Sequence, residues 1–190
     1  MRPPLLFAAL LCAAPLYAAS AHAKVEVEAA QDNSLGRVLA AKISEDIAPG
    51  DYEALLKGLK ANPGQFSRKV VLLDNIGGSA SEAIRMGRLL RETGFDTLVP
   101  SNGVCQGSCI YLLAAGHKKT VSGFVGLHRP HYPSGESALS KMSSQSLRYS
   151  PAAYFREMNI PSRLADEMQR IDPQRMRVLS AQELASYRLN

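Results

Sequence analysis

The chain has one apolar run near its start and no second run that could anchor it in a membrane. It also has no internal repeat, no tryptophan and only three cysteines. Hydrophobic types make up 46% of the residues and charged types 21%, which excludes a disordered chain, a collagen-like chain and a coiled coil. The formal charge of +5 is spread along the sequence, with no stripe of aromatic and basic residues, so we do not expect nucleic-acid binding.

The apolar run belongs to a segment, residues 1–23, that has the pattern of a secretory signal peptide. The second residue is basic, residues 5–19 are almost entirely apolar, and Ala21 and Ala23 are the small residues that a signal peptidase reads. The run is too short to span a bilayer. We therefore expect cleavage after Ala23, export to the periplasm without a membrane anchor, and a single mature domain at 24–190.

Two of the three cysteines remain in the mature chain, because Cys12 leaves with the signal peptide. Cys105 and Cys109 are four residues apart, a separation at which a disulfide is feasible near a helix end and is favoured in an oxidising compartment. A catalytic thiol is one alternative. Another is a zinc site with His128 and His131, although this ligand spacing matches no common zinc pattern.

Strand and helix patterns alternate along most of the chain, and the last third is helical. Strand patterns cover residues 24–28, 37–43, 70–73, 97–99 and 121–127, and helix patterns begin near residues 51, 81, 105, 151, 161 and 180. Residues 74–79 have the pattern of a turn, and residues 131–149, rich in Ser, have the pattern of a mobile loop. The order predicts an α/β fold with crossover units on a mostly parallel sheet and a helical C-terminal third.

Gly77 and Gly78 are the first candidate site, because they follow a buried strand and precede a helix. They could form a tight turn that needs positive φ angles. They could also leave backbone N–H groups free to bind an oxyanion or a phosphate. No Lys-Ser or Lys-Thr pair follows these glycines and the G-x-G-x-x-G spacing is absent, so we expect no nucleotide cofactor.

Ser108 and His128 are candidates for acid–base and nucleophilic chemistry. Ser108 opens an apolar helix, where a nucleophile would gain from the helix N-terminus, but the same position suits an ordinary helix cap. His128 ends a strand and is either a general base or a histidine at the rim with no chemical role.

The order of these features is more specific than any one of them. A strand is followed by Asn-x-Gly-Gly and a helix, then by a turn with Ser that opens an apolar helix ending in Ala-Gly, and then by a strand ending in His-x-Pro. This order resembles the proteolytic subunit of Clp protease and the wider crotonase-like superfamily. It is most similar to an uncharacterised exported branch that carries Cys-x-Ser-x-Cys or Cys-x-Ser-Ser-Cys. Residues 179–189 also resemble the ending of the Clp subunit, and the match extends over about residues 37–189.

The resemblance implies a fold of repeated β-β-α units and acyl transfer by a Ser-His-Asp triad. It implies that Gly77 and Gly78 match the glycine pair of the oxyanion hole and that His128 matches the general base. The family nucleophile position, however, falls on Gly107, which has no side chain. Ser108 follows one residue later, and one residue on a helix rotates a side chain by about 100°.

The third member of the triad also departs from the family pattern. The position of the family aspartate falls on Met176, and Asp172, about one helical turn earlier, is the nearest carboxylate. A base without its orienting carboxylate loses about 10⁴-fold in catalysis.

Three functional hypotheses follow. The first is an exported serine hydrolase or peptidase that uses Ser108, His128 and Asp172 on a peptide or acyl compound. The second is a non-catalytic binding or assembly module in which a Cys105–Cys109 disulfide braces the former nucleophile turn. The third is a redox-active dithiol. The resemblance implies a homo-oligomer. We do not expect an ATP-dependent unfoldase partner, because an exported protein would have no ATP available in its compartment. No metal or other cofactor is expected.

Overall fold

The computed structural model describes residues 24–129, 150–172 and 174–190. Within these residues the chain forms a mostly parallel mixed sheet of eight strands with six helices, which confirms the predicted α/β class. None of the described helices is long and apolar enough to cross a bilayer. The predicted signal peptide at 1–23 and the predicted loop at 131–149 lie outside the described residues.

The described residues form the following elements in chain order. The strands are β1 (Lys24–Asp32), β2 (Gly36–Ile47), β3 (Arg68–Gly78), β4 (Asp96–Val99), β5 (Val104–Gln106), β6 (Lys119–Val121), β7 (Phe124–Leu127) and β8 (Arg177–Val178). The helices are α1 (Asp51–Ala61), α2 (Ala80–Glu92), α3 (Cys109–Ala115), α4 (Pro151–Glu157), α5 (Arg163–Arg170) and α6 (Ala181–Ser186).

β3 is the strand around which the sheet is organised. It pairs in parallel with β2 over most of its length. On its other side, Val70–Leu72 pairs in parallel with β4, and Asn75 pairs with Cys105 of β5. β4 continues to β6, whereas β5 continues to β7 and then to β8. The sheet therefore divides at β3 into two branches, and only the β1–β2 and β7–β8 pairs are antiparallel.

Two boundaries predicted near the candidate site are wrong. The predicted turn at 74–79 is instead largely the end of β3, which keeps its pairing with β2 past an irregularity between Glu45 and Asp46. The predicted helix from Cys105 begins only at Cys109, because the residues before it pair with β7. In both cases, hydrogen bonds to a strand that is distant in the sequence determine where the element begins or ends.

A third prediction, one strand at 121–127, is also wrong, because the chain forms β6 and β7 with a break at Ser122 and Gly123. Gly123 lies so close to the carbonyl groups of Pro100 and Gly103 that it has no room for a side chain. The close approach bends the chain from the β4 branch to the β5 branch.

Helix α3 is the centre of the core, since all its residues, Cys109–Ala115, are fully buried. The ring of Tyr111 stacks on Phe155 at 5.2 Å and meets the ring of Tyr154 edge-on at 5.6 Å. The Tyr154 hydroxyl donates to the backbone oxygen of Tyr111 at 2.8 Å. Helix α4 therefore fixes α3, and with it the turn that precedes α3.

The helix predicted to begin near residue 180 is confirmed, and its first turn holds a capping box that makes the stability of the protein depend on pH. The backbone N–H of Ser180, the guanidinium of Arg177 and the Ser180 hydroxyl lower the pKa of Glu183 from 4.5 to about 2. A carboxylate with a depressed pKa in the folded state stabilises that state above about pH 4.5, and the stabilisation is lost as the pH falls through about 2. Because the side chain is 35% exposed, the contribution is of the order of 1 kcal/mol.

We expect Glu183→Gln to remove this component of the acid transition. The free energy of unfolding of the variant, measured by urea denaturation from pH 7 to pH 2, should fall less steeply below pH 4.5 than that of the wild type. Glu28→Gln, an exposed glutamate on β1 without an ion pair among the described residues, is the matched control. Equal slopes for the wild type and Glu183→Gln would contradict the prediction.

Candidate functional site

A cleft of about 300 Å³ lies where the carboxyl ends of β3, β5 and β7 meet. Parallel neighbours end at the same edge of a sheet, so residues far apart in sequence come together there. The residues of the cleft that bear on function are Gly77, Gly78, Gly107, Ser108, His128 and Arg129. The structure thus brings together four of the residues predicted from the sequence, namely the glycine pair, the serine and the histidine.

A disulfide holds one wall of the cleft. Cys105, in β5, is bonded to Cys109, the first residue of α3, and both are fully buried, which confirms the predicted pairing. The bond closes a small ring around residues 106–108. Since the two sulfurs are bonded to each other, neither is available as a zinc ligand. Among the described residues no three His, Cys, Asp or Glu side chains come close enough to hold a metal, and His131 lies outside them.

Ser108 is turned into the protein. Ser108 is only 2% exposed, and its hydroxyl donates to the backbone oxygen of Gly78 at 2.8 Å. It occupies the cap position of α3, but its side chain makes no capping hydrogen bond. The hydroxyl therefore ties the turn before α3 to the end of β3, which neither the cap nor the nucleophile interpretation describes.

Gly107 is the residue that lies against His128. A Cβ atom added to Gly107 would stand 3.5 Å from the Cβ of His128, an ordinary contact distance. The φ angle of Gly107 is +52°, a left-handed conformation that glycine adopts without strain. The position that the resemblance assigns to a nucleophile thus adjoins the residue that it assigns to the base, but this position has no side chain.

The ring of His128 is oriented by its own neighbour in the chain. Its Nδ1 lies 2.8 Å from the backbone oxygen of Arg129. A carbonyl oxygen only accepts hydrogen bonds, so Nδ1 carries the hydrogen, and in the neutral ring Nε2 is the acceptor. This is the orienting role that the sequence assigned to Asp172. A backbone carbonyl in that role has no signature in the sequence.

Asp172 is not among the residues that line the cleft. It is exposed, and its carboxylate accepts the backbone N–H of Gln174 at 2.9 Å. Met176, at the position that the resemblance assigns to an aspartate, packs over Gly126 of β7. A Cβ added there would lie 2.5 Å from the Met176 sulfur and 3.3 Å from Cγ of Gln106, a residue of the cleft. Met176 is therefore next to the cleft, but it brings a thioether where the resemblance implies a carboxylate.

The glycine pair is engaged in holding the end of β3. Gly77 and Gly78 have φ angles of +112° and +113°. The N–H of Gly77 donates to the side-chain oxygen of Asn75 at 2.9 Å. A Cβ on Gly77 would lie 3.1 Å from the backbone oxygen of Gln106 and 3.3 Å from the nitrogen of Ser108. Gly77 therefore leaves space in the cleft, while its own N–H points to Asn75 instead of a ligand.

Asn75 is the site residue that sequence reasoning missed. It is fully buried in β3, and among the described residues its side-chain nitrogen has no hydrogen-bond partner. The Asn-x-Gly-Gly pattern contained this residue, but only the fold shows that its side chain sets the direction of the Gly77 amide.

No family model matches the chain, and no curated protein is significantly similar to it.

Proposed function

We propose that this chain is an exported, non-catalytic member of the Clp-like branch of the crotonase-like superfamily. It acts in the periplasm as a binding or assembly module through the cleft at the ends of β3, β5 and β7. The observation that carries this proposal is that the residue against His128 is Gly107, whereas the hydroxyl of the adjacent Ser108 is bonded to Gly78. The resemblance contributes the expectation that a nucleophile stands at position 107.

The energetics of Ser108 support a structural role for its hydroxyl. To reach His128 the serine would have to break its bond to Gly78, leave a position that is 2% exposed and change the register of the turn. A buried acceptor left without its donor costs about 1–3 kcal/mol. The disulfide next to it opposes any change of register, because both ends of the turn are joined.

The electrostatics of the cleft support the same conclusion. Catalysis by acyl transfer needs hydrogen-bond donors aimed at the developing oxyanion. The Gly77 N–H is already bonded to Asn75. Among the described residues that line the cleft there is no carboxylate to stabilise a protonated His128.

Labelling with a fluorophosphonate probe tests the proposal. We expect no labelling of the folded wild-type protein under conditions in which a known serine hydrolase reacts completely. Gly107→Ser is the informative variant, because its Cβ fits beside His128 and the left-handed backbone costs it only about 1–2 kcal/mol. Labelling of Gly107→Ser alone would show that the missing nucleophile is what silences the site.

A serine hydrolase with Ser108, His128 and Asp172 is the second candidate. The observation in its favour is that Ser108 and His128 line one cleft and that the hydrogen on Nδ1 leaves Nε2 as the basic nitrogen. In this case the wild type would be labelled, and Ser108→Ala would not. That pair of results would overturn the non-catalytic proposal.

A further inference from the structure

A second pocket, of about 210 Å³, lies at the opposite end of β3 from the cleft. Its apolar walls come from four parts of the fold, Leu39 of β2, Leu59 of α1, Phe66 before β3 and Phe95 after α2, and the polar residues Asn62, Lys69 and Thr93 complete the lining. Leu39 and Phe95 belong to the buried core. The pocket opens beside Pro63 and Gly64, which are exposed. None of its lining residues belongs to the cleft.

The two ends of β3 are well separated. Lys69 lines the pocket, Gly77 lines the cleft, and the strand runs unbroken between them. Eight residues of strand at about 3.3 Å each span about 26 Å. A ligand in the pocket would therefore not contact the cleft, and this inference does not depend on the function proposed above.

Two cations border the opening of the pocket. The ammonium of Lys69 donates to the backbone oxygen of Thr93 at 2.8 Å. The guanidinium of Arg37 lies 4.5 Å from the centre of the Phe66 ring, and its Nη2 donates to the backbone oxygen of Pro63 at 3.2 Å. Within the part of the chain that the structure describes, neither Lys69 nor Arg37 forms an ion pair with a carboxylate.

Helix dipoles offset only part of this charge. Helix α1 ends at Ala61 and helix α2 at Glu92, each beside residues that line the pocket. A helix C-terminus is equivalent to about half a negative charge. Two such ends therefore offset only part of the charge of Lys69 and Arg37. Both cations have N–H donors left for a ligand. Lys69 has three and uses one on Thr93, and Arg37 has five and uses one on Pro63.

We propose that this pocket binds a small amphipathic anion, a carboxylate with a short alkyl or aryl body. The apolar body would lie against Leu59 and Phe66, the half-buried apolar side chains of the lining, and the carboxylate would lie at the mouth between Lys69 and Arg37. At about 30 Å³ for each water-sized group, the volume accommodates about seven non-hydrogen atoms. Charge at the mouth and apolar walls behind it together favour this class over a neutral or cationic ligand.

Three probes with the same six-carbon chain test the proposal: hexanoate, hexan-1-ol and hexylammonium. Each is titrated at constant ionic strength into the full mature chain, with backbone amide shifts in the NMR spectrum as the readout. We expect hexanoate to bind with about millimolar affinity and to shift the amides of Lys69, Thr93 and Phe95. Hexanol should bind at least fivefold more weakly, and hexylammonium should shift none of these amides.

Lys69→Met is the main variant, because methionine keeps an apolar stem and removes the charge. It should weaken hexanoate binding about fivefold and leave hexanol binding unchanged. Lys57→Met, on an exposed position of α1, makes the same change in net charge and should have no effect. If Lys69→Met does not fold, Arg37→Gln, an exposed residue at the mouth, makes the same test. Equal affinities for hexanoate and hexanol, equal effects of the two lysine variants, or no hexanoate binding would each overturn the proposal.

Discussion

Gly78→Ala should destabilise the protein by about 4 kcal/mol, about twice as much as Gly77→Ala, although the two backbones have nearly the same φ angle. A side chain at such an angle costs about 1–3 kcal/mol at either position. At Gly78 the new Cβ would also be driven into the backbone of Ile47, 2.7 Å from its nitrogen and closer still to its oxygen. A backbone in the middle of a sheet cannot move aside, and overpacking adds about 1–3 kcal/mol.

A third glycine provides the control for strain alone. Gly50 has a φ of +105°, but no atom lies within 4 Å of the position of its Cβ. The free energies of unfolding, measured by urea denaturation, should therefore fall in the order Gly50→Ala, Gly77→Ala and Gly78→Ala. Equal losses at Gly50 and Gly78 would show that strain alone decides the cost and that the contact between β2 and the end of β3 is loose. Gly77→Ala should also narrow the cleft in front of Ser108.

Replacing both Cys105 and Cys109 with alanine should lower stability by about 2 kcal/mol. A disulfide that closes a ring of five residues lowers the entropy of the unfolded chain, and at 25 °C this corresponds to about 2 kcal/mol of stabilisation. For a chain of this size the melting temperature should fall by about 4–8 °C. Alanine is the appropriate replacement, because both positions are fully buried and serine would bring in an unpaired hydroxyl.

Burial of the sulfurs provides a control. A reductant should not open the bond in the folded protein, so mass spectrometry of the native wild type should find no free thiol at these positions. After unfolding in reductant, the wild type should match the double variant in stability. An unchanged melting temperature in the double variant would mean that the hydroxyl of Ser108 alone keeps the turn in place.

The sequence predicted the parts of this fold that depend on local patterns. Local helix patterns located α2 to within one residue of its start and also located the start of α6. The pairing of Cys105 with Cys109 was also predictable, because the spacing and the expected compartment favoured it. The physical reason is the same in each case, since all the interacting groups lie within one or two helical turns in the sequence.

Contacts between distant residues account for what the sequence did not predict. The strand β3 continues to Gly78 because β2 lies beside it, and Ser108 faces Gly78, thirty residues away, instead of capping its own helix. The orientation of His128 by the carbonyl of Arg129 is local, but it depends on backbone geometry and not on side-chain identity. A motif with the correct residues in the correct order therefore located the cleft, but not the roles of its atoms.

The position of β3 also has a consequence for the time course of folding. Its partners are β2 before it in the sequence and β4 and β5 after it, and all these pairings are parallel. Parallel pairing requires long loops to close before any contact is gained, so such sheets form slowly. When the chain is made from its N-terminus, β1 and β2 can pair with each other first and β3 can then join β2, but the other edge of β3 stays unpaired until residues 96–106 have been made. The cleft lies where β3 meets strands that are made later, and it is therefore among the last parts of the molecule to form.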